Sequence, residues 1–256
     1  MFKNEGAEAC LMPHVVHGEL MHALKDMEIS SAANVWVYAS DDQYLRFKWA
    51  KGTGLDAALN VPGASSIEVL DRRRDNLVSV QDAGTMMFVG FSLPDGENAR
   101  AVELFSVHDA FTFGAVGDDD DAMWQGEDQP TKFELDGLEV PDLPRVVGRR
   151  GDERLDVSGN VGRWFDTFGA RLWAGSRMWF GKAFDPVISL DRVRSLPVGE
   201  VSDGPNGGVR VRLFEPGDSL EVVRERQRAV VEWLGFRRLE KHAEQIKAAY
   251  PDRFSG

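Results

Sequence analysis

Between residues 35 and 116 the chain is cut into short runs in which apolar residues alternate with polar ones or fill the run outright. VWVYAS (35–40) and YLRFKWA (44–50) read as two strands joined by Asp41-Asp42-Gln43. The second sets Leu45, Phe47 and Trp49 against Arg46 and Lys48, as a half-exposed strand does. SIEVL (66–70), NLVSVQ (76–81), TMMFVGFSL (85–93), ARAVELFSV (99–107) and AFTFGAV (110–116) continue the series, with the strong turn PDGEN before ARAVELFSV. TKFELDGLEV (131–140) reads as a further hairpin or an edge strand. The connections are too short for parallel crossovers, so the expected pairing is antiparallel. Ahead of this region, HVVHGELMHALKDM (14–27) places Val15, Leu20, Met21, Leu24 and Met27 on one broad helical face.

Beyond Pro144 the periodicity changes. RVVGRRGDERLDVSGN (145–160) reads as a linker or long loop. Val161, Trp164, Phe165, Phe168 and Leu172 then recur at helical spacing and predict a Trp-rich helix from Asn160. A helical turn is expected from Asp191, and DGPNGG marks a hairpin over 198–214. Asp218 or Ser219 caps a helix that buries Leu220, Val223, Val230, Val231 and Leu234 and stops at Gly235. A last helix, 237–250, buries Leu239, Ala243, Ile246 and Tyr250 and ends before Pro251. The expected class is α+β: a mainly antiparallel sheet in the N-terminal half, flanked by helices, and a helix-rich C-terminal part that contains a β-hairpin. The change of texture divides the chain into 1–144 and 145–256, as two units or one continuous domain.

With 43% hydrophobic and 28% charged residues, the 256-residue chain carries enough apolar material for a sizeable core. No apolar run is long enough to span a membrane. MFKNEGAEAC lacks the apolar segment of a secretion signal, and one cysteine, Cys10, cannot form an internal disulfide, so the expected location is the cytoplasm.

Charge changes the picture most. Residues 90–144 hold fourteen acidic and two basic side chains, and the segments on either side cancel one another, so this stretch carries the whole net charge of −12. Its centre is Asp118, Asp119, Asp120 and Asp121, followed by Met123, Trp124, Glu127 and Asp128. An EF-hand loop needs alternating ligands and a distal Glu, a pattern this run lacks. Carboxylates held together against self-repulsion suit a basic partner, with Met123 and Trp124 as apolar anchors. The expectation is therefore a non-catalytic module that docks a basic protein, in concrete form an inhibitor or immunity protein facing a toxin or nuclease. Such a field repels phosphates and argues against nucleic acid. Self-association of acidic and basic patches is a further expectation.

No motif supplies a coherent catalytic set. His14 and His17 share a helical face while His22 points away, so these three make a poor zinc site without help from another segment. The glycine-rich turn KGTG followed by Asp71 lacks the helix that a nucleotide crevice requires. His108 and Asp109 fall on opposite faces of a strand. The alternative function is a small-molecule enzyme or ligand-binding domain with a pocket between the sheet and the Trp-rich helix, lined by His108, Arg171 and Trp173. Trp173 is the aromatic that lies off the helical stripe. No cofactor is implied by the sequence.

Overall fold

The computed structural model describes residues 5–11, 34–39, 44–48, 57–58, 60–61, 64–70, 76–82, 86–93, 97–148, 151–215 and 217–249. The helix expected over 14–27, with His14, His17 and His22, lies outside these residues, as does Asp71.

The architecture is α+β, built on a ten-stranded antiparallel sheet. Its strands are β1 (Glu5–Leu11), β2 (Asn34–Ala39), β3 (Tyr44–Lys48), β4 (Ala64–Leu70), β5 (Asn76–Asp82), β6 (Met87–Phe91), β7 (Phe111–Asp118), β12 (Arg177–Phe180), β13 (Glu200–Asp203) and β14 (Val209–Arg212). Across the sheet they run β13-β14-β12-β7-β1-β6-β5-β4-β2-β3. Strands from both sides of residue 144 therefore share one sheet. Two hairpins stand apart from it: β8 (Arg145–Val147) with β9 (Glu153–Leu155), and β10 (Phe165–Thr167) with β11 (Ala170–Leu172).

The helices are α1 (Glu97–Ser106), α2 (Asp119–Gly126), α3 (Pro130–Leu135), α4 (Leu190–Arg194), α5 (Leu220–Leu234) and α6 (Phe236–Ala249). The sheet separates two cores, as alternate residues of a strand face opposite ways. Ala7, Ala9 and Leu11 join Val35, Val69, Val89 and Phe105 of α1 on one face. Cys10 joins Phe88, Phe113, Met178, Val211 and the α5 residues Val230 and Leu234 on the other. Ser219 caps α5 by accepting from the Val222 N–H, and Gly235 ends it at φ 75°, a left-handed position that glycine adopts at little cost.

Four sequence expectations are corrected. Residues 99–107 are not a strand but most of α1. The buried Asn98, Ala101, Val102 and Phe105 follow helical spacing, and the Asn98 amide pins the first turn through both polar groups of Leu93. Residues 130–135 form a short helix started by Pro130, not a strand. The Trp-rich helix from Asn160 does not exist. Phe165, Thr167, Ala170 and Leu172 are buried at a period of two around a turn at Phe168-Gly169, with Gly169 at φ 84°. Apolar residues at 165 and 172 satisfy both periods, and the turn decides for the hairpin. Residues 145–160 hold β8, β9 and a 3-10 turn rather than a bare linker.

Candidate functional site

The run of aspartates is the start of a helix. Asp118 ends β7 and caps α2: its Oδ1 accepts from the Asp121 backbone N–H at 2.9 Å. The acids that follow occupy the first turn, where the helix dipole favours negative charge. Burial raises the Asp118 pKa above the ordinary carboxylate value. The Asp121 N–H works against that rise, and the neighbouring Asp121 and Asp120 charges add to it.

Asp121 is held from the opposite end of the chain. Arg224 of α5 grips its carboxylate with both terminal amino groups, Nη1 at 2.7 Å from Oδ2 and Nη2 on Oδ1. The same Nη1 reaches Gln227 Oε1 at 2.7 Å, and Gln227 Nε2 donates to the Ala174 carbonyl at 3.0 Å. Asp121 therefore belongs to a polar network that locks α2 to α5. Asp128 is paired with Arg154 at 2.6 Å, and Asp152 holds the same guanidinium. Glu103, from the same acidic stretch, accepts from Trp179 Nε1 at 2.6 Å and pairs with Arg210. Glu127 Oε1 accepts from the Gln129 N–H at 2.8 Å.

Trp124 rests half-buried against Phe133, ring centres 5.0 Å apart, while Met123 is exposed. The backbone of Asp119 is helical, and its side chain lies outside the described residues. Of the eight residues expected to meet a partner, Asp118, Asp121 and Asp128 serve the fold, Glu127 turns back onto the backbone, Asp120 is half-buried, Trp124 packs partly inward, Met123 faces solvent, and the Asp119 side chain lies outside the described residues.

The acidic surface lies further along. Glu134, Glu139 and Asp142 are exposed and have no ionic partner among the described residues. Leu135, between them, is 83% exposed, and Leu138 is exposed as well. Asp136 is paired with Lys132 at 3.0 Å. Sequence reasoning missed the weight of 134–142 because the expected strand would have buried alternate residues; in α3 only Phe133 turns inward. The signal was present in Leu135 and Leu138 set among acids.

The alternative pocket residues do not converge. His108 follows α1 and lines a cleft of about 330 Å³ with Ser106, Asp109, Lys182 and Asn206. Arg171 lines a different cleft. Trp173 is 2% exposed with its ring against Gly117, where an added Cβ would lie 2.8 Å from Cζ3. Its expected second contact is thus core packing, because the segment is a hairpin and not a helix.

Among the described residues no group of three His, Cys, Asp or Glu side chains is placed to hold a metal ion. Among the same residues no helix is long and apolar enough to cross a membrane. No family model, no curated protein and no solved structure matches this chain.

Proposed function

We propose that the protein is a non-catalytic module, acting in the cytoplasm, that docks a basic protein through residues 134–142, with an inhibitor or immunity protein against a toxin or nuclease as its concrete form. One observation carries this reading: Glu134, Glu139 and Asp142, free of ionic partners among the described residues, flank the exposed Leu135 and Leu138. Carboxylates around a bare leucine complement a cationic surface with an apolar anchor. The charges speed encounter, and the leucine supplies contact area once water is expelled. The Asp118–Asp121 run contributes field rather than contact, since Asp121 is already neutralised by Arg224.

The test is capture of native-cell proteins on the immobilised full chain, eluted by rising salt. Three chains are compared: the parent, E134Q/L135S/E139Q/D142N, and a control neutralised at the exposed Glu221, Glu225 and Glu232 of α5. The expected result is a basic protein that elutes early in the gradient from the parent and the control and is missing from the first variant. Equal capture by all three chains, or a captured species that is a second copy of this chain, overturns the reading.

A further inference from the structure

The β8–β9 hairpin stands outside the ten-stranded sheet, and its main-chain bonds fix which way each residue faces. The Gly148 N–H donates to the Asp152 carbonyl at 2.7 Å, so these two form a bonded pair. Antiparallel partners alternate between bonded and non-bonded pairs. Val146 with Arg154 is then bonded, whereas Arg145 with Leu155 and Val147 with Glu153 turn their main-chain groups outward. On the β9 side the Leu155 N–H does so, and donates to the Asp128 carbonyl at 2.8 Å. On the β8 side the N–H and C=O groups of Arg145 and Val147 have no partner among the described residues.

Open edges are commonly blunted by charge, by proline within the strand or by a bulge. β8 has little of this. Val146 is 42% and Val147 81% exposed, one on each face of the hairpin. Arg145 is its one charged residue, and Glu153 pairs with it at 3.1 Å. Arg154 across the hairpin is held by Asp128 and Asp152. The carboxylates without an ionic partner, Glu139 and Asp142, directly precede β8 in the chain. α3, which ends at the bare Leu135, packs beside β9. The edge therefore continues the surface of residues 134–142.

We propose that the basic partner of residues 134–142 adds an extended strand to β8, antiparallel to it. This rests on the docking reading above and states how the partner is held. Main-chain bonds to Arg145 and Val147 supply the hold, and apolar residues of the added strand lie beside Val146 and Val147. In antiparallel register, the residue three places after the one opposite Arg145 comes beside Asp142, so a lysine or arginine belongs there. Arg149 and Arg150 follow β8 in sequence and lie outside the described residues; their charge confines the cations of the added strand to its C-terminal end. Two chains of net charge −12 repel one another, which favours a cationic partner over a second copy.

The test is calorimetric titration of the full chain with acetylated hexapeptide amides, in which three apolar residues (Val, Ile, Leu or Phe) precede two threonines and a lysine. Each peptide that binds is compared with two N-methylated forms. One is methylated at the first and third residues, whose N–H groups face β8, and the other at the second, whose N–H faces away. The protein variant is V147P, because proline there removes the outward N–H and leaves the bonds to β9. The expected result is saturable binding of at least one hexapeptide. Methylation at the first and third residues weakens it on the order of tenfold or more, V147P does the same, and methylation at the second changes it little. The peptide comparison stands if V147P does not fold. Three outcomes overturn the proposal: no hexapeptide binds at millimolar concentration, both methylated forms bind alike, or folded V147P binds unchanged. A sedimentation mass of two chains that falls to one in V147P also overturns it, since a second copy then fills the edge. A basic protein captured equally by the parent and by V147P overturns strand addition and leaves the docking reading standing.

Discussion

Asp121 and Arg224, 103 positions apart in sequence, form a two-pronged ion pair that joins α2 to α5. It lies against Gly162, where an added Cβ would be 2.8 Å from Arg224 Nη1 and 3.2 Å from Asp121 Oδ2. Both side chains are mostly buried, so loss of either partner strands the other charge in a poor solvent. R224M is expected to lower stability by ~1–3 kcal/mol, read as a lower urea midpoint with unchanged slope. A midpoint within error of the parent would show that the pair contributes nothing.

Asp118 makes an opposite prediction. Its pKa is raised in the fold, chiefly by burial, so the native state binds its proton more tightly than the unfolded chain does. The stability from that proton is complete below the unfolded pKa of about 3.9 and is lost as pH rises through the folded value. The ionised cap is therefore held against a penalty. Asparagine caps without charge, so D118N should equal or exceed the parent in thermal stability at pH 7, with the difference closing towards pH 3. D118A should lose about 1 kcal/mol through the missing cap. Equal destabilisation by both changes would refute this account.

Cys10 is fully buried, and burial pushes its thiol up to about 12, with the Arg171 N–H pulling the other way. The neutral thiol stabilises the fold fully below pH ~9, and that contribution fades as pH climbs towards the folded value. At pH 8 a disulfide reagent should label the native chain only as fast as the chain unfolds, and label it at once in urea. Rapid labelling without denaturant would contradict the burial.

Gly181 has no room for a side chain. An added Cβ would lie 1.9 Å from the Phe111 carbonyl oxygen and 2.7 Å from Phe111 Cδ1, both fixed by β7. G181A should cost more than ~3 kcal/mol or prevent soluble expression. G159A, with nothing within 4 Å of the new methyl, should stay within about 0.5 kcal/mol of the parent by thermal denaturation.

Elements whose period and punctuation agreed were legible in the chain. The β2–β3 and β13–β14 hairpins fall where the turn residues put them, and α5 begins at Ser219 and stops at Gly235. Misreadings arose where two periods fitted the same residues. Phe165 and Leu172 suit a helix as well as a hairpin, and only the turn at Gly169 separates the two. Residues 97–106 alternate well enough for a strand, yet their buried set is helical because α1 lies on the sheet instead of in it. The site was less legible still. Charge density is local in sequence, whereas the arginines that neutralise Asp121, Asp128 and Glu103 come from positions 224, 154 and 210. The cleft lined by Glu8, Ser79, Phe88, Trp164 and Arg171 is assembled from segments far apart along the chain, and nothing in the order of residues announces that they meet.

The place of β1 has a consequence for how the molecule comes into being. Glu5 pairs with Asp118 and Leu11 with Met87, so β1 is synthesised well before either of the strands it pairs with. Until then the growing chain carries two open ladders of unbonded amides, the kind of template that recruits other chains. Acquisition of the native state should accordingly be slow, as non-local pairings generally are, and the yield of refolded material should fall with protein concentration.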